Sequence, residues 1–330
     1  MPTRMKFGLL VPHFGEHAAV AKVIEGSQKA EAYGFDSIWV RDHLIFHPHG
    51  MEGTDKTLFE PFVTLGAIGA RTNRLVLGTA VAIPHRHPIY LAQLFATLSH
   101  LTGGRVICGI GAGTFAHEIG AAGWPSSDEH RFQLTKETIE VMRRIWTGEE
   151  ISYKGEIHSF EHADIHPQPA KPIPIWYGGG TPASVRRTIA WECDGWMPGR
   201  IPLRTFQKCV GLLRDLCREH GRPMVITGAL PIVSVDRDKE NALSKVNVKG
   251  LWETADKKRG WVKPASGRFS TLEDLEGLLI AGSPSDVVKE IQKYEANGLD
   301  HFVFDLRFRY PDYERQLDLI GQEVLPLLRA

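Results

Sequence analysis

Short apolar runs rich in β-branched residues alternate along this chain with longer stretches whose apolar positions recur at helical spacing. The apolar runs fall at residues 6–11, 37–40, 75–82, 106–110, 173–177, 194–197, 226–235 and 301–306. Most are hydrophobic throughout, the pattern of parallel strands covered on both faces. The helical stretches lie at 18–33, 61–71, 89–101, 130–146, 182–191, 203–220, 284–297 and 312–328. The first stops at Gly34, three open with proline at or near the first turn, and Asn297-Gly298 closes the seventh. Eight strands alternating with helices predict an α/β fold, a closed (β/α)₈ TIM barrel spanning 1–330 as one domain. An open doubly wound sheet is the alternative.

Two segments break the alternation. Residues 149–166 alternate around Lys154-Gly155 and read as a small excursion before strand five. Residues 249–282, between strands seven and eight, carry Lys257-Lys258-Arg259, with glycine and proline near the middle. They read either as a lid over the catalytic end or as a solvated loop.

Composition narrows the function classes. With 42% hydrophobic and 24% charged residues in 330, the chain can bury a large core. Lys+Arg and Asp+Glu both number 39, so the net charge of zero gives no general attraction to nucleic acid or an anionic membrane. No apolar stretch approaches the ~18 residues of a membrane span, and the run at 7–11 is too short for a signal peptide. A cytoplasmic protein is therefore expected, with no nucleic-acid or membrane partner. Cys108, Cys193, Cys209 and Cys217 form no C-x-x-C pair and read as buried thiols.

In a barrel, chemistry gathers at the C-terminal ends of the strands. That rule selects His13, Asp42 and His43, Thr79 to Val81, the glycines Gly109, Gly111 and Gly113, Gly178 to Thr181, and Asp305 with Arg307. In Tyr177-Gly178-Gly179-Gly180-Thr181-Pro182, glycines let the backbone approach a ligand and Thr181 can cap the helix that follows. The free N–H groups there suit a phosphate, though glycines also make tight turns with no ligand. Gly111-Ala112-Gly113-Thr114-Phe115-Ala116 imitates a dinucleotide fingerprint, but no strand about 20 positions on ends in an acidic residue. Small residues there more simply make room for a flat ring. His47-Pro48-His49 and His85-Arg86-His87 raise a metal-dependent barrel hydrolase as a rival. Such a site needs ligands from further strands, and Asp305 is the only obvious late one, so no metal ligands are assigned. Neither a G-x-S-x-G elbow nor a Walker A sequence is present.

Several segments together resemble the luciferase-like monooxygenase superfamily. They are Ala32-Tyr-Gly-Phe-Asp36-Ser-Ile-Trp-Val-Arg-Asp42-His43, Leu77-Gly-Thr-Ala-Val81 with His87-Pro88, and Leu101-Thr-Gly-Gly-Arg105-Val-Ile-Cys-Gly-Ile-Gly111. Pro174-Ile-Trp-Tyr-Gly-Gly-Gly180 with Asp194-Gly-Trp196, and Gly282-Ser-Pro284, complete the set in order along nearly the whole chain. The resemblance implies a barrel enzyme using coenzyme F420, a deazaflavin, or reduced FMN. It implies hydride transfer to or from a small organic substrate, or alternatively oxygen insertion from O₂ with reduced FMN. A binding protein that holds flavin without turnover is a reading of another class. By the same resemblance Thr79, Ala80 and Val81 form a bulge, often with a non-prolyl cis peptide, behind the cofactor ring. Gly111 and Gly113 lie beside the ring, and Gly178, Gly179, Gly180 and Thr181 take its phosphate. His43 and Asp42 stand at the reactive face, His13 is placed near the substrate, a separate reductase can supply reduced cofactor, and a homo-oligomer is expected. The chain departs from the deazaflavin sugar-phosphate dehydrogenases where Thr114 stands in place of a glutamate; Glu118 is the nearest carboxylate. That departure speaks against a glucose-6-phosphate-type substrate. No basic cluster of the kind used by sulfonate monooxygenases is evident either.

Overall fold

The computed structural model describes residues 4–48 and 53–330. Its strands, in chain order, are β1 (Lys6–Leu10), β2 (Ser37–Val40), β3 (Val76–Thr79), β4 (Val106–Ile110), β5 (Ile151–Lys154), β6 (Ser159–Ala163), β7 (Ile175–Gly178), β8 (Gly195–Met197), β9 (Ile226–Ala229), β10 (Ile232–Val235), β11 (Leu279–Gly282) and β12 (His301–Asp305). Parallel pairing runs β1-β2-β3-β4-β7-β8-β9-β12, and β12 pairs back onto β1 from Lys6↔His301 to Leu10↔Asp305. The sheet therefore closes, as an open doubly wound sheet would not. The excursion before strand five is the antiparallel hairpin β5–β6. The Glu137 carboxylate accepts the backbone N–H groups of Glu156, Ile157 and His158 at its turn.

Two indoles fill the barrel's interior. Trp39 and Trp176 lie with ring centroids 5.5 Å apart, and His301 meets both edge-on. A Cβ at Gly8 or Gly78 would press into the Trp39 ring at under 3.0 Å, and one at Gly195 into Trp176. Glycine on the neighbouring strands is thus a matter of volume: each absent side chain admits part of an indole.

The expected seventh strand, 226–235, is split. Pro231 has no N–H for the ladder. Its carbonyl accepts the Asp305 N–H at 3.1 Å, and after Ile232 the chain leaves the wall, so β10 pairs in parallel with β11. Residues 279–282, read as the end of an insertion, are thus a strand. Proline opens a fourth major helix as well, because Pro88 rather than Ile89 starts Pro88–Leu101. The last helical stretch is continuous from Tyr313–Leu319 into Leu325–Arg329 through one π-helical turn, Ile320–Val324.

Among the described residues no helix is long and apolar enough to cross a membrane. All four cysteines are buried and free.

Candidate active site

The open, C-terminal end of the barrel holds two cavities, of about 510 and 340 Å³. Both are lined by Ala80, Val81, Thr114, Gly180, Thr181 and Gly199, so they meet between the ends of β3 and β7. The Ala80–Val81 peptide at this junction is cis. The Thr79 hydroxyl donates to the Gly109 carbonyl at 2.6 Å and ties the bulge to β4. A Cβ at Gly111 or Gly178 would lie 2.6 or 2.8 Å from a Val81 methyl. These two glycines therefore leave room for Val81 against the strand ends, and they line the smaller cavity beside the Ala80–Val81 surface. Gly113, at φ +72°, lines the smaller cavity directly.

The larger cavity is walled by His43. An arginine guanidinium only donates, so with Arg41 Nη2 at 3.2 Å the His43 Nε2 is an acceptor, and Nδ1 carries the ring proton. That Nδ1–H donates to Glu118 Oε1 at 2.8 Å. Glu118 comes from the short helix Ala116–Ala121 and its side chain is 3% exposed. The pair lies 75 residues apart in sequence. Phe46 and Phe115 flank the imidazole at 5.5 and 5.9 Å.

Asp42 also borders this cavity, but its carboxylate is committed elsewhere. It accepts two N–H groups from Arg86, at 2.6 and 3.1 Å, and the Ile83 N–H at 2.9 Å. This bidentate ion pair, with the Asp42 carboxylate fully buried and Arg86 partly exposed, occupies both carboxylate oxygens and holds the loop after the bulge. His13 departs further from its expected place at the substrate. It is fully buried, contributes to neither cavity, and both ring nitrogens meet backbone: Nδ1 the Val11 carbonyl at 3.1 Å, Nε2 the Arg41 N–H at 3.1 Å. Burial lowers its pKa to about 4, so it stays neutral. The imidazole joins the ends of β1 and β2 from beneath the mouth.

Around the smaller cavity, Thr181 caps the helix Pro182–Ala190 in a reciprocal box with Ser184. The Ser184 N–H donates to Thr181 Oγ1 at 3.3 Å, and the Thr181 N–H donates to Ser184 Oγ at 3.1 Å. Gly179 has φ +146°, and a Cβ there would lie 2.7 Å from Ser184 Cβ. Arg187, one turn into the helix, brings a guanidinium to this cavity and stacks over Phe132 at 3.4 Å. Nothing in the sequence sets it apart from Arg186 beside it. Backbone glycines, a helix N-terminus and an arginine together suit a phosphate.

A second positive corner lines the larger cavity. Arg200 donates to the buried Asp305 at 2.8 Å, and Arg307 holds the same carboxylate at 2.8 Å. Lys258 lies near Arg200; the cavity wall takes its ammonium partly out of water, and this first, then the neighbouring charge, lowers its pKa, while the residue as a whole stays exposed. Leu251, Thr254, Lys258 and Trp261 put the 249–282 segment directly over the cavity. Arg200 and Lys258 are 58 residues apart, so no basic cluster stands out in the sequence.

The rival histidine pairs go other ways. His85 Nε2 faces Asp42 at 3.9 Å, whereas His87 caps a helix through Ile89 N–H at 3.3 Å and meets His158 edge-on. His47 stacks on His117; His49 lies outside the described residues. Among the described residues no three His, Cys, Asp or Glu side chains are grouped to hold a metal ion.

A sequence model of the luciferase-like monooxygenase family matches residues 5–301. F420-dependent glucose-6-phosphate dehydrogenases from Nakamurella multipartita and Microbacterium testaceum are each 31% identical, covering 100% of this chain and 98% of their own length. Among solved structures, an F420-dependent secondary alcohol dehydrogenase with an F420–acetone adduct superposes with a TM-score of 0.83 at 23% identity, over 99% of this chain and 100% of its own. The FMN-bound oxygenating component of 3,6-diketocamphane monooxygenase from Pseudomonas putida gives 0.77 at 18%, over 98% of both chains. The bulge on β3, the glycine cradle after β7 and the match over most of the sequence lead to one assignment: the chain belongs to the luciferase-like monooxygenase family.

Proposed function

We propose that this protein is a coenzyme F420-dependent dehydrogenase, moving hydride between a small hydroxylated substrate and the deazaflavin. The observation that carries the reading is the His43–Glu118 pair on the wall of the 510 Å³ cavity. Alcohol oxidation needs a base for the hydroxyl proton as hydride leaves, and His43 Nε2, with its proton held on the other nitrogen, is placed to be one when the substrate hydroxyl displaces Arg41 from that lone pair. The residues present fit the cofactor: a smooth Ala80–Val81 surface for a ring, continuous with a cradle of Gly178 to Thr181 and Arg187 for phosphate. When bound, F420 supplies the hydride acceptor.

The chain's own residues do the rest. His43 takes the substrate proton, and Arg41 beside it steadies the oxygen as charge develops there. Glu118 keeps the imidazole in the useful tautomer. Asp42, through Arg86 and Ile83, holds the bulge loop in place. Arg200 and Lys258 suit an anionic group on the substrate, and the 249–282 segment acts as a lid that excludes water. The 31% identical F420-dependent relatives support the cofactor choice, and Thr114 still argues for a substrate other than theirs.

The test titrates the purified protein with F420 and with FMN, then follows bleaching of oxidised F420 with secondary alcohols and phosphorylated sugars. F420 should bind more tightly and be reduced. His43→Ala should lower turnover by ~10²–10⁴-fold with little change in cofactor affinity. Tight binding of FMN alone, with oxygen-dependent turnover, would replace this reading by the monooxygenase one. Binding without turnover would leave a flavin carrier.

A further inference from the structure

We propose that Glu118 and His117 carry the proton from His43 out to solvent, alongside the stacked ring of His47. The inference rests on the dehydrogenase reading above and adds residues to it. Oxidising an alcohol breaks a C–H and an O–H bond: the hydride, with its electron pair, goes to F420, and the O–H proton must leave separately. His43 receives that proton deep in the site. Its side chain is only 8% exposed, between Phe46 and Phe115, and bound cofactor and substrate would cover what remains. A base that cannot unload is protonated after one turnover.

The structure offers a polar route. His43 Nδ1 lies 2.8 Å from Glu118 Oε1, and the same oxygen lies 3.9 Å from His117 Nε2. His117 is the first group along this line with substantial contact to solvent, its side chain 38% exposed. The 3.9 Å step is longer than a hydrogen bond, and one bridging water or a small rotation closes it. His117 is held at that distance by stacking on His47, with ring centroids 4.4 Å apart and planes at 22°. Among the described residues, the charged and titratable groups facing the route include Arg41 and His43 after β2, His47 beyond them, His85 after β3, and His117 itself.

The transfer balances. As Nε2 accepts the substrate proton, Nδ1 passes its own to Glu118; Glu118 hands a proton to His117 Nε2, and Nδ1 of His117 releases one to water. One proton enters from the substrate and one leaves to water; Glu118 is restored at once, while His43 and His117 both end as Nε2–H tautomers and each must regain its Nδ1–H form before the next turnover.

The plainer view is that Glu118 only orients His43 and that His117 is a surface residue. His117→Phe separates the two, since phenylalanine keeps a ring against His47 but has no exchangeable nitrogen. F420 affinity and KM should stay within about twofold, because neither group touches the cradle or the ring surface. Turnover should fall about tenfold or more, the solvent deuterium effect on kcat should rise, and millimolar imidazole should restore most of the rate. In Glu118→Gln the block lies in the buried part, so the same imidazole should restore little. A His117→Phe enzyme with unchanged kcat and isotope effect overturns the route, as does a loss that imidazole leaves untouched. Absence of hydride transfer in the unaltered protein would instead overturn the dehydrogenase reading, and the route with it.

Discussion

His43 faces Arg41 on one nitrogen and Glu118 on the other, and that contrast fixes its proton more firmly than either contact alone. His43 itself stood out in the sequence, beside Asp42 at the end of an apolar strand. Glu118 did not, because only the fold brings it across 75 residues, and Asp42 looked like a partner in the chemistry until Arg86 was seen to occupy it. Arg187 was hidden differently: it lies on a helix past the cap, where sequence offers no reason to prefer it to Arg186. It now gives the cleaner test of the phosphate cradle. A side chain at Gly179 would collide with Ser184, and loss of the Thr181 hydroxyl would also remove a helix cap, so either change disturbs the scaffold as well as the ligand. Arg187→Gln leaves both intact and removes one charge-assisted donor, worth ~1.5–3 kcal/mol. Phosphorylated cofactor should bind roughly 10-fold or more weakly, while the unphosphorylated ring compound is little affected. Equal losses for the two, measured by fluorescence titration, would move the phosphate elsewhere.

The elements that sequence rendered best are those with a regular period and a clear stop. All eight barrel strands were legible as apolar runs in the correct order, and so was one long helix after each, whereas the short helices Ala116–Ala121, Lys239–Ser244 and Val248–Asp256 were not. β11 was not, since Leu279-Ile280-Ala281-Gly282 is four residues long and its pairing with β10 depends on the break at Pro231. The segment above the mouth was readable only as long and irregular, because its order comes from contacts with the barrel. It has a small core of its own, in which Leu251, Ala255, Phe269 and Leu278 pack with Ile232. Its helix Val248–Asp256 ends just before the exposed Lys257-Lys258-Arg259, where Lys263 reaches back to the Ala255 and Asp256 carbonyls at 3.0 and 2.8 Å. If this segment closes over the ligand, trypsin should cut at 257–259 in the free protein and several-fold more slowly with F420 bound. Equal cleavage rates would make it a passive cover.

At the scale of the whole molecule, a formal charge of zero at pH 7 keeps overall repulsion small near neutrality, so the first response to acid comes from individual buried groups. Two of them are histidines inside the barrel. His13 joins β1 to β2, and His301 sits between Trp39 and Trp176 with Ser37 Oγ at 2.7 Å from its Nε2. The Ser37 hydroxyl already accepts the Trp39 indole N–H at 2.7 Å, leaving its own proton for His301, which suits a neutral ring. Burial lowers both pKa values from 6.5 to about 4. Between these two values the unfolded chain takes up the proton and the folded one does not. Stability is thus at its full value above pH 6.5, falls as pH drops to about 4, and gains no further histidine loss below that. Each group contributes on the order of 3 kcal/mol over the window. Carboxylates act later: Asp236 and Asp274, held below 3.8 by their hydrogen bonds, stabilise above that value and lose the contribution beneath it. Urea unfolding should therefore show a midpoint that already falls between pH 7 and about 5, before Glu31 and Glu137, held below their usual 4.5, begin to add to the loss. His301→Gln should lower stability at pH 7 yet make the decline shallower, because the unfolded chain no longer has that proton to gain, while His13, His85 and His158, also held below 6.5, still lose their share. A decline that begins only below pH 4.5, or one that His301→Gln leaves equally steep, would mean that these imidazoles are already charged inside the barrel.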